Sequence, residues 1–172
     1  MIVLLVWHTD PNPIFQASKK YGVTLNKLDL MKHIVYMFEI EDISRVTTHQ
    51  LIRHRLASYD QESQRFSAAS RETFVVPPSV SSKKESKELF EKTVNQVMEV
   101  FEKLVALGIP KEDARYIIPH SIKTKLVMTL SAASLQHIAS LRTTPQAQWE
   151  IRSLVSKMYE LAKQATPEIW NV

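Results

Sequence analysis

Apolar residues recur along this chain with two different periods, one of two residues and one near 3.6. Residues 2–7 are a continuous aliphatic run, which predicts a buried strand. Asp10-Pro11-Asn12-Pro13 breaks it, and residues 14–21 predict a short helix ended by Gly22. Residues 32–41 place Ile34, Tyr36, Phe38 and Ile40 on every second position, the pattern of a second strand. Asp42 is placed to cap a helix running through Ile43, Val46 and Leu51 towards Arg53. From 53 to 66 the texture turns polar and core periodicity is lost. Residues 72–76 predict a short strand closed by Pro77-Pro78. Ser82-Lys83-Lys84-Glu85 reads as a capping box opening a long amphipathic helix. Its stripe is Leu89, Phe90, Val94, Val97, Met98, Phe101, Leu104 and Val105, and Gly108 stops it. Residues 110–117 add a helical turn or two, 123–130 a third long strand, 134–141 a short helix and 145–163 a final helix. The last presents Ile151, Leu154, Val155, Met158 and Leu161 on one face.

Strands and helices intermixed without a repeat predict a single α/β (α+β) domain over residues 1–172. A hydrophobic fraction of 44% suffices for a core and argues against disorder. The excess of four positive charges favours anionic partners without choosing among them. The basic segments lack the aromatic pattern of an RNA-stacking surface, which argues against nucleic acid. The apolar run at 2–7 is too short to span a bilayer, so a cytoplasmic protein is expected, with no membrane. There is no cysteine, which removes thiolate metal sites and any thiol nucleophile. No histidine spacing suggests a metal. With two glycines in all, a glycine-rich phosphate loop is excluded, and side chains must hold any phosphate.

Chemistry concentrates in residues 49–66, His49-Gln50-Leu51-Ile52-Arg53-His54-Arg55-Leu56-Ala57-Ser58-Tyr59-Asp60-Gln61-Glu62-Ser63-Gln64-Arg65-Phe66. Arginine forks match anionic oxygens, and the amides of Gln50 and Gln61 can read the edge of a base. Gln50 and Arg53, three apart, would share a helix face. The segment is therefore either an anion- or nucleotide-binding element or a solvated loop with weak surface ion pairs.

Arg53-His54-Arg55, seven residues and Ser63 reproduce the signature of the flavin-dependent thymidylate synthases (ThyX), and the chain resembles that family from about residue 30 to 167. Ala114-Arg115-Tyr116-Ile117-Ile118-Pro119, the segment Ser134-Leu135-Gln136-His137-Ile138-Ala139-Ser140-Leu141-Arg142, and Ala147-Gln148-Trp149-Glu150-Ile151-Arg152 resemble further family segments in the same order. The resemblance implies a central, mostly antiparallel sheet flanked by long helices. It implies reductive methylation of dUMP to dTMP with methylene-tetrahydrofolate as carbon donor, FAD as cofactor and NADPH as reductant, in a homotetramer. It places dUMP on Gln50, Arg53, Gln61, Ser63, Gln64, Arg65, Arg115 and Arg142, with Arg142 catalytic. It places FAD on Arg53, His54, Arg55, Ser131 and His137. Arg142 reads alternatively as a helix C-terminal cation, and Arg115 as an ion-pair partner.

Departures gather on the flavin side. Lys27-Leu28-Asp29-Leu30-Met31-Lys32-His33 keeps only the last histidine of the family's segment there, and Lys27 would have to offset Asp29. Ser131-Ala132-Ala133 lacks the family's arginine. Losing one charge-assisted hydrogen bond costs about 1.5–3 kcal/mol. The alternative is therefore a paralogue without flavin activity that binds or senses pyrimidine nucleotides.

Overall fold

The structure, a computed structural model, describes residues 1–63 and 74–170. In chain order its elements are β1 (Ile2–His8), α1 (Asn12–Tyr21), α2 (Lys27–His33), β2 (Val35–Ser44), α3 (Arg45–Leu51), β3 (Ala57–Gln61), α4 (Pro78–Ser81), α5 (Lys84–Ala106), α6 (Lys111–Ala114), a 3-10 turn (Arg115–Ile117), β4 (Lys123–Ser131), α7 (Ala132–Arg142), α8 (Trp149–Ala165) and α9 (Pro167–Trp170). The strands form one antiparallel sheet in the order β1-β2-β4-β3. The expected class, an antiparallel sheet with flanking helices, is the one observed. The chain divides into two compact units. One comprises Met1–Glu41, His49–Asp60 and Leu126–Val172, the other Asp42–Thr48 and Gln61–Lys125.

In the first unit, period-two alternation buries Val3, Tyr36, Phe38, Ile40, Leu126, Met128 and Leu130 on one face of the sheet. Helix α8 packs on β1 and α7, and α2 packs on α7 and α9. The apolar buried side of α8 is Ile151, Leu154, Val155, Met158 and Ala162; the expected Leu161, next to Ala162, is only half-buried. The run at 2–7 is not a buried strand: β1 is an edge, and Leu4 and Trp7 are 52% and 53% exposed. Only its Val3 side meets a covering helix. A polar relay ties the C-terminus to the sheet. Trp170 Nε1 donates to Tyr36 Oη (3.1 Å), Tyr36 Oη donates to Thr166 Oγ1 (2.5 Å), and Thr166 Oγ1 donates to Ala162 O (3.2 Å). Burial, the largest cause, raises the Tyr36 pKa, so the phenol stays a donor.

The second strand begins at Val35 rather than 32, because residues 27–33 form α2. Asn26 caps α2 by accepting from Asp29 N at 2.9 Å, and only Leu30 and Met31 are buried. Helix α1 ends as expected at Gly22. There φ is 65°, and Gly22 N and Val23 N bond to Lys19 O and Ser18 O.

In the second unit, α5 packs against α4 and α6. Its core is Met98, Phe101 and Ala114, with Phe74, Leu104, Val105 and Ile118 around it. Gly108 (φ 86°) closes α5, its N–H bonding Val105 O while Ile109 N bonds Leu104 O. The expected capping box is absent: Lys83 is the N-cap without a side-chain bond, and Ser82 Oγ donates to Ser79 O at 2.9 Å. Helix α4 precedes α5 directly and claims Ser82 for its own end. Asp42 does not cap α3. It lies inside β2 at φ 58° and pairs with Lys123 at 3.5 Å, while Ser44 Oγ accepts from Thr47 N at 3.2 Å. The expected strand at 72–76 is a single bridge, Phe74 to Ile122; residues 72 and 73 lie outside the described residues.

Candidate functional site

In the first unit, α3 ends at Leu51, so Arg53 lies in the turn beyond the helix and not on its face beside Gln50. His54 N bonds Leu51 O at 3.0 Å and closes that turn. Tyr59, from β3, clamps it: its hydroxyl donates to Leu51 O at 2.8 Å and to His54 O at 2.9 Å. One proton serves both carbonyls in a three-centre bond. Burial pushes the Tyr59 pKa up to about 12, so the donor persists across all physiological pH.

The clamped turn presents His54 to the end of α7. Ser131 caps α7 by accepting from Ser134 N at 3.1 Å, and Leu135, Ile138 and Ala139 bury its inner face. Arg142, the last residue of the helix, donates from Nε to His54 Nε2 at 2.9 Å. An acceptor at Nε2 requires the proton of a neutral His54 to sit on Nδ1. Burial, with the nearby Arg142 and His137 charges, holds the His54 pKa below its ordinary value and favours that neutral ring. Arg53 and Arg55 are exposed, and Arg53 Nε donates to His49 O at 3.3 Å. His137 is exposed on α7 rather than packed in the core. Gln50 is half-buried at the end of α3.

Gln61, Ser63 and Arg115 belong to the second unit. Gln61 Nε2 donates to Thr124 Oγ1 at 3.5 Å. The next residue is fixed at both backbone groups: Glu62 N donates to Lys125 O at 3.0 Å, and Glu62 O accepts from Arg45 Nη2 at 3.1 Å. Ser63 therefore departs from an anchored residue. Gln64, Arg65 and Phe66 lie outside the described residues. Arg115 opens the 3-10 turn, its Nε donating to Glu112 O at 3.1 Å. Burial and the Arg115 charge both lower the Arg45 pKa, partly offset by Glu62. Arg45 Nε is buried and has no acceptor among the described residues.

Sequence reasoning missed Tyr59 and Arg45. Arg45 carries a faint signal, a lone guanidinium between apolar positions, whereas Tyr59 reads as one more polar-loop residue. On the flavin side, the structure supplies offsets the sequence hides. Asp29 Oδ1 pairs with Lys32 at 3.0 Å and Oδ2 accepts from Asn26 at 2.6 Å, while Lys27 reaches Trp170 O at 3.4 Å. Asp29 is offset by Lys32 and not by Lys27. The guanidinium groups of Arg53 and Arg55 and the His137 ring remain exposed, a donor set that fits a dinucleotide diphosphate. No cluster of three metal-ligating side chains occurs among the described residues.

The family described as thymidylate synthase complementing protein (Thy1) matches residues 19–168. Curated flavin-dependent thymidylate synthases are similar to the chain. The one from Saccharolobus solfataricus is 44% identical over 144 residues, 83% of this chain and 55% of that protein. The one from Geobacter sulfurreducens is 39% identical over 151 residues, 87% and 65% respectively. The chain thus spans little more than half the length of the curated relatives it matches. Its fold is similar to that of Thymidylate Synthase X (ThyX) from Helicobacter pylori, solved with FAD and dUMP, at a TM-score of 0.74. The identity there is 21%, over 93% of this chain and 92% of that one.

Proposed function

This chain belongs to the flavin-dependent thymidylate synthase family, and from that membership we propose that it catalyses reductive methylation of dUMP to dTMP, with methylene-tetrahydrofolate as carbon donor, FAD as cofactor and NADPH as reductant. The observation that carries the reading is the aimed Arg142, held at the end of α7 by a neutral histidine of the Arg-His-Arg turn. A fixed positive charge against the pyrimidine favours the ring's anionic, more nucleophilic form. The chain has no thiol to add to the base, in keeping with a route that needs none.

Gln50, Arg53, Gln61, Ser63, Gln64, Arg65 and Arg115 hold dUMP in this reading, the arginines by paired hydrogen bonds to phosphate. Arg53, His54, Arg55, Ser131 and His137 hold FAD. When bound, the reduced flavin supplies the hydride that completes the methyl group. Residues 1–172 act as one domain, and four chains associate. The cytoplasm is the assigned compartment; no helix among the described residues is long and apolar enough to cross a membrane.

The test is a titration of purified protein with FAD, followed by an assay for dTMP. Micromolar FAD uptake with turnover is expected, and Arg142→Ala should lower kcat by roughly 10²–10³. Protein that stays colourless after FAD is added overturns the reading. One observation favours the second reading, a pyrimidine-nucleotide-binding paralogue without flavin activity. Ala133 offers no cation, and the Ser131 hydroxyl is already engaged in capping α7. Binding of dUMP without FAD is its signature. Sedimentation at micromolar concentration tests the tetramer, which a monomer would exclude.

A further inference from the structure

His54 stands in the Arg-His-Arg segment with the residues assigned to the flavin, yet its ring nitrogen Nε2 is committed to Arg142 Nε at 2.9 Å. The two residues lie 88 positions apart, and only the fold brings them together. The His54 carbonyl is held in turn by the Tyr59 hydroxyl, so the ring's backbone is fixed before Arg142 docks on it. Arg142 is the last residue of its helix and has no following turn of helix to pack its side chain. A donor at Nε turns that edge of the guanidinium to the histidine and leaves the N–H groups of the far edge pointing away, towards another acceptor.

We propose that His54 is a positioning residue for Arg142: its neutral ring accepts from Nε and sets the direction in which the guanidinium points. This rests on the reading of Arg142 as the catalytic residue. Proton uptake by His54 turns the acceptor into a donor and sets two cations against each other, so the contact breaks. The charged and titratable groups around His54 are Arg142 and His137 from α7, Tyr59 from β3, and Arg53 and Arg55 in its own turn. Burial first, and then the Arg142 and His137 charges, hold its pKa below the ordinary value, so the neutral ring prevails at neutral pH. With a depressed folded-state pKa, the contribution is full above about pH 6.5 and is lost as pH falls through the lower folded value.

Two measurements test this, one independent of turnover. In ¹⁵N-histidine NMR of the full chain, His54 should show the Nδ1–H tautomer. In Arg142→Met its pKa should rise and the tautomer should shift towards Nε2–H. A His54 signal indifferent to Arg142→Met overturns the proposal, whether or not the protein turns over. In steady-state kinetics at saturating FAD, His54→Leu should lower kcat about tenfold to a hundredfold, the loss of one charge-assisted hydrogen bond, beyond any change in FAD affinity. His54→Gln, which keeps an acceptor that does not titrate, should restore most of kcat and flatten the acid limb of the pH profile. An acid limb unchanged in His54→Gln, or a His54→Leu defect confined to FAD affinity, also overturns it. Failure of all turnover in the wild type, with the NMR result intact, counts against the proposed activity and not against the pairing.

Discussion

Replacing Tyr59 with phenylalanine removes one oxygen and keeps the ring, so its effect isolates the clamp on the Arg-His-Arg turn. The hydroxyl donates to Leu51 O and His54 O, at 2.8 and 2.9 Å. One proton shared between two acceptors contributes about one hydrogen bond, net 0.5–1.5 kcal/mol, and exposing the carbonyls to imperfect partners adds a similar amount. Leu51 O keeps the bond from His54 N, so the second loss falls mainly on His54 O. We expect about 1–2 kcal/mol in all. With a urea slope of about 2 kcal/mol/M, the midpoint should fall by roughly 0.5–1 M at unchanged slope. The wild type should also show a tyrosine absorbing as phenolate only near pH 12, missing from Tyr59→Phe. The raised pKa means that the clamp is fully present below about pH 10, the unfolded value, and is lost as pH rises through the folded one. In turnover the same variant should raise the dUMP KM several-fold, because Arg53, proposed to hold dUMP, rides on the loosened turn. A urea midpoint within about 0.1 M of wild type would refute the clamp, since no hydrogen bond of ordinary strength could then be at work.

Three further substitutions probe separate elements. Tyr36→Phe leaves Trp170 Nε1 without its acceptor and Thr166 Oγ1 without its donor, in a buried relay. A loss of about 2–4 kcal/mol is expected in urea unfolding, and one under about 1 kcal/mol would mean that α9 is not held through the relay. Ser131→Ala removes the cap of α7 and should cost about 1 kcal/mol, read as a lowered melting temperature. Arg45→Lys keeps the charge but cannot reproduce the planar guanidinium whose Nη2 reaches Glu62 O, so the dUMP KM should rise several-fold with kcat held. An unchanged KM would show that anchoring Glu62 does not matter to the nucleotide.

The elements with long, regular patterns were legible in sequence: the alternation of β2 and β4, and the stripes of α5 and α8, although Leu89 of the α5 stripe is 65% exposed. What stayed hidden was short. Helix α2 buries only Leu30 and Met31, too few to establish a 3.6-residue period, and its true start lies in the Asn26–Asp29 cap. Strand β3 is a five-residue edge on which Ala57, Tyr59 and Gln61 are merely half-buried, so its alternation is drowned by polar neighbours. The caps were misread because cap preference is local while cap use is not. Ser82 satisfies the rule for α5 but is taken by α4, and Ser44 serves α3 because Asp42 is already turned towards Lys123.

The site divides along a similar line. Which residue types would hold an anion was readable, because arginine and amide chemistry does not depend on the fold. How they are aimed was not, since the partner of Arg142 lies 88 residues away and Tyr59 acts only through backbone carbonyls. The flavin-side departures show why this matters. Taken as letters, Asp29 and Ala133 count as lost contacts to an anionic cofactor. In the fold Asp29 sits in the first turn of α2, where an acceptor is favoured, and its charge is met by Lys32. Asp29 therefore sets no lone negative charge against a cofactor, and the cost that remains is the missing cation at Ala133. One missing charge-assisted bond weakens binding by about tenfold to a hundredfold, which Arg53 and Arg55 can offset if both reach the diphosphate. Restoring the cation separates the cases. Ala133→Arg should tighten FAD by that factor if the cofactor binds there, and should leave a protein that ignores FAD unchanged.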